Sequence, residues 1–175
     1  MKTRTYTNKT LPISIGKQVL NLYNLFFPSP RPGTRLRQTT RFVFLDGEKL
    51  ISHAAVIEKT IHHRGQSYKL IGLGGVLTHP QYQRRGYGTQ IVKRATEYIR
   101  SQKADVAVLF CDKKNINLYR RSGWEVFSNP RITVGKNKKN AHPQEEMTMI
   151  LYLSSKAKAN KEILKEYPMF FGESW

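Results

Sequence analysis

The chain of 175 residues is 39% hydrophobic and 24% charged, which places it with folded soluble proteins and gives it length for one well-buried core. Its formal net charge of +18 favours a polyanionic partner, whether nucleic acid, a membrane surface or a highly phosphorylated cofactor, unless it serves solubility alone. One cysteine, Cys111, excludes an internal disulfide and a multi-thiolate metal site; among five histidines only His62 and His63 adjoin, on opposite faces of an extended segment, so no metal is expected.

Residues 1–10 are polar and predict an extended or frayed start. Pro12 opens a helix in which Ile15, Val19, Leu22, Tyr23 and Phe26 recur at helical spacing, ending before Pro28. The apolar run Leu20 to Phe27 is interrupted by Asn21, Tyr23 and Asn24 and is far shorter than the ~20 residues of a membrane span. Lys2 and Arg4 lead into a polar stretch rather than a secretory core, so the expected setting is the cytoplasm, away from membranes. Ser29 to Gly33 reads as a loop, and the basic run Thr34 to Thr40 as a connector or the lining of a substrate entrance; residues 1–40 form a basic N-terminal part.

Arg41 to Leu45 and Lys49 to Lys59 flank Asp46-Gly47-Glu48 as the arms of a hairpin. After a turn at His62 to Gln66, a third strand runs from Tyr68 to Leu77. Its Gly72, Gly74 and Gly75 mark a bulge or a close approach, by a ligand or by a neighbouring helix. Thr89 to Ser101 predicts a helix with Ile91, Ala95, Tyr98 and Ile99 inward, and Ala104 to Phe110 a buried parallel strand, together a βαβ unit. Ile116 to Arg121 is a short helix closed by Gly123; Trp124 to Phe127 and Met147 to Leu153 are closing strands. Between them, Ser128 to Gln144 predicts a long loop or a poorly paired strand around Ile132 to Val134, and Lys156 to Glu166 a solvent-facing helix.

The chemistry concentrates in Gln83-Arg84-Arg85-Gly86-Tyr87-Gly88, between a strand and a helix. Gly86 and Gly88 put no side chain in the way of a phosphate, and the first-turn N–H groups of the helix are unpaired donors. The spacing matches neither the nucleotide-kinase loop nor the dinucleotide fingerprint, and the same glycines also suit a plain tight turn. Eight Lys and Arg precede Asp46 with no acid among them, and eight more lie from Lys113 to Lys139 against Glu125 alone. They follow no recognition-helix, zinc-finger or aromatic-platform pattern, which makes nucleic acid the lesser partner.

The run Val76 to Gly88 resembles the acyl-CoA-binding motif of the Gcn5-related N-acetyltransferase (GNAT) superfamily: Gln or Arg, two residues, Gly, one residue, Gly or Ala. Leu118-Tyr119-Arg120-Arg121-Ser122-Gly123-Trp124 is similar to its second signature, a tyrosine four residues ahead of a Gly-aromatic pair. The resemblance implies an α/β (α+β) single-domain fold over residues 1–175, with a mixed central sheet, flanking helices and a splayed cleft for acetyl-CoA. It places Gly75, Val76 and Leu77 on the pantetheine arm and Arg84, Arg85, Gly86, Tyr87, Gly88 and Thr89 on the pyrophosphate, with Leu109 to Asp112 across the gap.

Within the superfamily the chain most resembles the aminoglycoside 2'-N-acetyltransferases. The likeness rests on His53-Ala54-Ala55-Val56-Ile57, the Tyr-x-x-x-Gly-Trp form of the second signature and a tail ending in Trp175. It implies that Glu145, Glu146 and the terminal carboxylate of Trp175 hold the acceptor amine through charge-assisted bonds; a solvated carboxylate at Trp175 is the alternative. Gly74 replaces the glutamate that this group offers as general base, and a field of +18 opposes a polycationic drug, which turns the expectation towards another amine.

A thioester is already activated, so attack by a neutral amine needs positioning, deprotonation and an outlet for the thiolate. By resemblance Tyr119 protonates the leaving sulfur, and backbone N–H groups around Val76 and Leu77 polarise the carbonyl. The base is open among Glu145, Glu146, His79, His53 and the Trp175 carboxylate. Cys111 reads as a buried strand-end thiol rather than a nucleophile, since no motif supplies the cation that would activate it. The expected function is transfer of an acetyl group to a primary amine of a small molecule. Alternatives are a protein, peptide or polyamine acetyltransferase of the same fold, and a noncatalytic CoA- or nucleic-acid-binding module; a homodimer is compatible with either.

Overall fold

The computed structural model describes residues 2–27, 40–128 and 131–173. The Ser29–Gly33 loop, the basic run as far as residue 39 and Trp175 lie outside the described residues. The chain forms two compact units, one built from the residues up to Ile57 with Leu73–Glu97, the other from Glu58–Gly72 and the chain from Tyr98 onward.

In the first unit, strand β1 (Lys2–Thr7) pairs antiparallel with β2 (Thr40–Asp46), Lys2 opposite Leu45 and Thr7 opposite Thr40. Of the extended or frayed start predicted for residues 1–10, the extended alternative holds over most of the length, as a paired edge strand. An edge strand is held by its main-chain ladder and needs no hydrophobic alternation, so composition did not reveal it. A tight turn with Gly47 at φ +58° leads from β2 into β3 (Lys49–His63), and their register shifts between Phe44 and Leu45. Helix α1 (Ile13–Phe26), opened by Pro12, lays Ile15, Val19 and Leu22 against Val43, Leu45, Leu50 and Leu77. Each buried aliphatic side chain there contributes roughly 1.5–3 kcal/mol before conformational entropy is charged against it. The Gln18 side chain fixes the helix to the hairpin, donating to the Glu48 carbonyl at 2.9 Å and accepting from the Leu50 N–H at 2.8 Å.

Strand β4 (Gln66–Thr78) runs through both units, as β3 does, and α2 (Tyr87–Ser101) follows it. In the second unit β5 (Val106–Cys111) pairs antiparallel with β9 (Met147–Tyr152), whose other side carries the short β6 (Glu125–Val126). The strand order β1-β2-β3-β4-β5-β9-β6 gives the mixed central sheet with flanking helices. Ile132–Val134 (β7) is better paired than its polar surroundings predict. It lies between β8 (His142–Pro143), antiparallel, and β10 (Met169–Phe170), parallel, in a three-stranded sheet.

The single solvent-facing helix predicted over Lys156–Glu166 is two short ones, α4 (Ser155–Ala159) and α5 (Lys161–Glu166), meeting at Asn160. Neither is merely surface: Ala157 and Leu164 are fully buried. The Ser154 hydroxyl caps α4 by accepting from the Ala157 N–H at 3.1 Å and donates to Asp105 at 2.7 Å, while Asp105 also accepts from the Lys69 N–H and pairs with Lys156. Among the described residues no helix is long and apolar enough to cross a membrane.

Candidate functional site

Strand β4 ends at Thr78, and a single helical turn over Pro80–Tyr82 reverses the chain towards α2. The turn is tied at both ends, by the His79 N–H on the Ile51 carbonyl at 2.8 Å and by the Gln83 side-chain amide on the Thr78 carbonyl at 3.2 Å. The next residues depart from ordinary backbone: Arg84 has φ +59° and Gly86 φ +82°. A Cβ at Gly86 would meet nothing nearer than Gln90 Nε2 at 3.9 Å, so the backbone angle requires the glycine and the space over it is open. The Gln90 N–H donates to the Gly86 carbonyl at 3.0 Å, which ties the loop into the first turn of α2, a helix start whose N–H groups point towards the loop. The helix begins at Tyr87, two residues before the predicted Thr89, and no acid in its first turn cancels its positive end.

Cations gather beside this loop on aromatic rings. The Lys49 ammonium lies 5.1 Å and the Arg85 guanidinium 5.6 Å from the centre of the Tyr82 ring. That ring packs edge-on against His79 and Tyr87, and Tyr87 in turn tilts against Phe44. Sequence reasoning named Arg85 and Tyr87 but missed Lys49 and Tyr82. The readable signal was Tyr82 two residues ahead of Arg84; Lys49 is distant in sequence and gave none. The loop fits a multiply charged phosphate ligand, with backbone donors at a helix start, exposed Arg84 and Arg85, and an open glycine surface.

Three residues upstream of Thr78, β4 is irregular. Gly75 has φ +56°, the left-handed region inside a strand, as the cluster Gly72, Gly74 and Gly75 foretold for a bulge or close approach. A Cβ on Gly75 would lie 1.8 Å from the Tyr23 hydroxyl oxygen, so the approach is by α1. The Gly75 carbonyl accepts from His53 Nδ1 at 2.7 Å, and the Leu77 carbonyl accepts from the Ser52 hydroxyl at 2.9 Å. His53 is fully buried; burial, with the charge of Arg41 adding to it, pushes its pKa down to about 4 despite the bond to Gly75, so the ring is neutral. Enclosed and with Nδ1 committed, His53 is removed from the candidate bases.

In the second unit, Tyr119 lies on α3 (Ile116–Arg120) with 6% of its surface exposed. Burial, then the charges at Cys111, Glu146 and Asp112, raise its phenol pKa well above 10, so it carries its proton at any working pH. The helix closes on Gly123, φ +85°, through the Ser122 N–H on the Tyr119 carbonyl at 2.9 Å, and the Arg100 guanidinium covers the glycine. The Gly-Trp of the second signature is therefore a helix stop followed by a buried anchor, Trp124. Cys111 faces Met147 across the β5–β9 ladder, so Asp112 and Glu146 follow at the same end of it. Burial, then Glu146 and Asp112, push the buried Cys111 thiol up to about 11. Glu145 and Glu146 are exposed, Glu146 accepting from the Gln144 side chain at 3.2 Å. Among the described residues no group of three or more His, Cys, Asp or Glu could hold a metal ion.

Residues 17–127 match the acetyltransferase (GNAT) domain family, and the chain belongs to that family. Comparison with curated proteins finds no match. Among solved structures, Escherichia coli ElaA superposes with a TM-score of 0.64 at 14% identity, over 86% of this chain and 99% of that one. The Escherichia coli GNAT family N-acetyltransferase YhbS, solved in complex with CoA, gives 0.62 at 14% identity over 99% and 91%. A probable N-acyltransferase from Enterococcus faecalis gives 0.58 at 22% identity over 73% of this chain, which spans 33% of that larger protein. Identities this low carry the fold alone. The finer likeness to the aminoglycoside 2'-N-acetyltransferases has no specific support among these relatives.

Proposed function

We propose that the chain is an acetyl-CoA-dependent N-acetyltransferase acting on a primary amine of a small-molecule acceptor. The observation that carries this reading is the Gln83–Thr89 loop, in which Arg84 and Gly86 take left-handed backbone and the chain enters α2 with its first-turn N–H groups directed at the loop. In this reading Arg84 to Thr89 hold the pyrophosphate and the backbone of Gly75 to Leu77 holds the pantetheine arm. The cosubstrate supplies an activated thioester. The amine nitrogen bonds to the acyl carbon as the carbon–sulfur bond breaks.

Tyr119 is proposed as the proton source for the departing sulfur, a role supported by its neutral phenol and its place in the second signature. Glu145 and Glu146 are proposed to hold the acceptor and draw off its proton, with Trp175 as a further acceptor contact. Their support is the acidic end of the β5–β9 ladder in a chain of net charge +18, where a local negative site favours a cationic amine. Calorimetric titration with acetyl-CoA tests the cosubstrate: binding that weakens steeply with salt is expected, and no binding at low salt overturns the proposal. An acetylation screen over small amines, polyamines and peptides then identifies the acceptor, and turnover confined to peptides overturns the small-molecule assignment.

A further inference from the structure

The left-handed residue of β4, Gly75, is held by a side chain that no part of the proposed reaction uses. His53, on β3 and fully enclosed, places Nδ1 2.7 Å from the Gly75 carbonyl oxygen. A carbonyl only accepts, so the proton is on Nδ1 and Nε2 carries the lone pair. Nε2 is buried and has no hydrogen-bond partner among the described residues, a cost that a leucine at this position would not incur. What the imidazole adds over a leucine is the Nδ1–H donor.

That donor fixes a peptide plane. All described peptide bonds are trans, so the Val76 N–H points opposite to the Gly75 carbonyl across the same plane. Anchoring the carbonyl on His53 therefore directs the Val76 N–H away from the buried ring. A hydrogen bond accepted at the carbonyl also polarises the amide and strengthens its N–H as a donor. The other groups facing His53 keep the arrangement in place. From α1, the Tyr23 ring meets the imidazole edge-on at 5.6 Å, and its hydroxyl fills the space where a Gly75 side chain would stand. From β2, Arg41 adds positive charge that opposes protonation of the ring. Two residues along β4, Ser52 holds the Leu77 carbonyl, so successive β3 side chains secure both ends of the Val76 segment.

We propose that His53 is a positioning residue for acyl transfer: its bond to the Gly75 carbonyl aims and strengthens the Val76 N–H as the donor to the thioester carbonyl. The inference rests on the acetyl-CoA reading above and adds to it the residue that orients the donor. His53 neither touches the acyl group nor moves a proton.

Two measurements test it, one without any ligand. Nitrogen NMR of the histidine side chains in the unaltered protein should show His53 as the neutral Nδ1–H tautomer; an Nε2–H tautomer overturns the proposal. The second is the infrared band of acetyl-CoA labelled with a heavy isotope at its carbonyl carbon, recorded bound to the unaltered protein, to His53→Asn and to His53→Leu. Asparagine can present an N–H near the position of Nδ1, whereas leucine presents none. The expected result is a bound band below the free-solution frequency in the unaltered protein and in His53→Asn, and loss of that displacement in His53→Leu, with acetyl-CoA affinity within about threefold throughout. Equal displacement in all three proteins overturns the role of His53 and leaves the cosubstrate reading standing. Failure of the unaltered protein to bind acetyl-CoA overturns that reading and the proposal with it.

Discussion

Replacing His53 by asparagine should flatten the acid side of the protein's stability profile. The unfolded chain carries a histidine with the ordinary pKa of 6.5, and in the folded protein burial pushes it down to about 4. Between those values the unfolded state binds a proton that the folded state refuses, so stability falls as pH falls. The contribution is fully present above about pH 6.5 and is lost progressively down to about pH 4. At about 1.36 kcal/mol per pH unit the total is ~3 kcal/mol, of which ~2–3 kcal/mol is already gone at about pH 4.5. Asparagine keeps an N–H for the Gly75 carbonyl and does not titrate. Urea unfolding of both proteins at a series of pH values measures the difference directly, because Tyr23, Arg41 and the remaining carboxylates are common to both. The unaltered protein should lose ~2–3 kcal/mol more than His53→Asn between about pH 7.5 and 4.5. Parallel stability profiles would refute the assignment of a buried, neutral His53.

Gly75→Ala should destabilise by about 2–5 kcal/mol, combining ~1–2 kcal/mol for a left-handed alanine with ~1–3 kcal/mol for forcing a methyl into the place of the Tyr23 hydroxyl. Shortening Tyr23 to alanine in the same chain should recover part of that loss, and strict additivity in a double-mutant cycle counts against the contact. Tyr119→Phe should lower kcat by about 10²-fold or more while acetyl-CoA affinity is unchanged, as expected for loss of a general acid. Because burial holds the phenol neutral, the pH–rate profile of the unaltered enzyme should contain no limb from Tyr119; a full rate in the phenylalanine variant refutes its role.

The segments that could be read from sequence are those in which one local pattern decides the structure. The α1 stripe of Ile15, Val19 and Leu22, the Asp46-Gly47 turn and the buried face of α2 all follow from spacing within a few residues. The left-handed loop ahead of α2 was legible for the same reason, since Gly86 and Gly88 sit at a strand-to-helix junction. The paired edge strand Lys2–Thr7 was hidden because its partner is Thr40–Asp46 and its stability lies in main-chain bonds. The helix over Lys156–Glu166 was misread because Leu164 and Ala157, too sparse to form a stripe, bury individually on either side of Asn160. In β4 the three glycines announced that something came close. Identifying it as Tyr23 and His53 required contacts spanning 22 residues, from position 53 to 75, and longer, which no local pattern encodes.

The enclosed thiol of Cys111 has a practical use. With its pKa pushed up to about 11, only about one part in ten thousand is thiolate at pH 7, and the sulfur is sheltered from solvent. A colorimetric thiol reagent will therefore register released CoA without registering the folded protein. The same reagent added without substrate becomes a clock for opening of the β5–β9 ladder, because the protein's single cysteine reacts when that ladder comes apart.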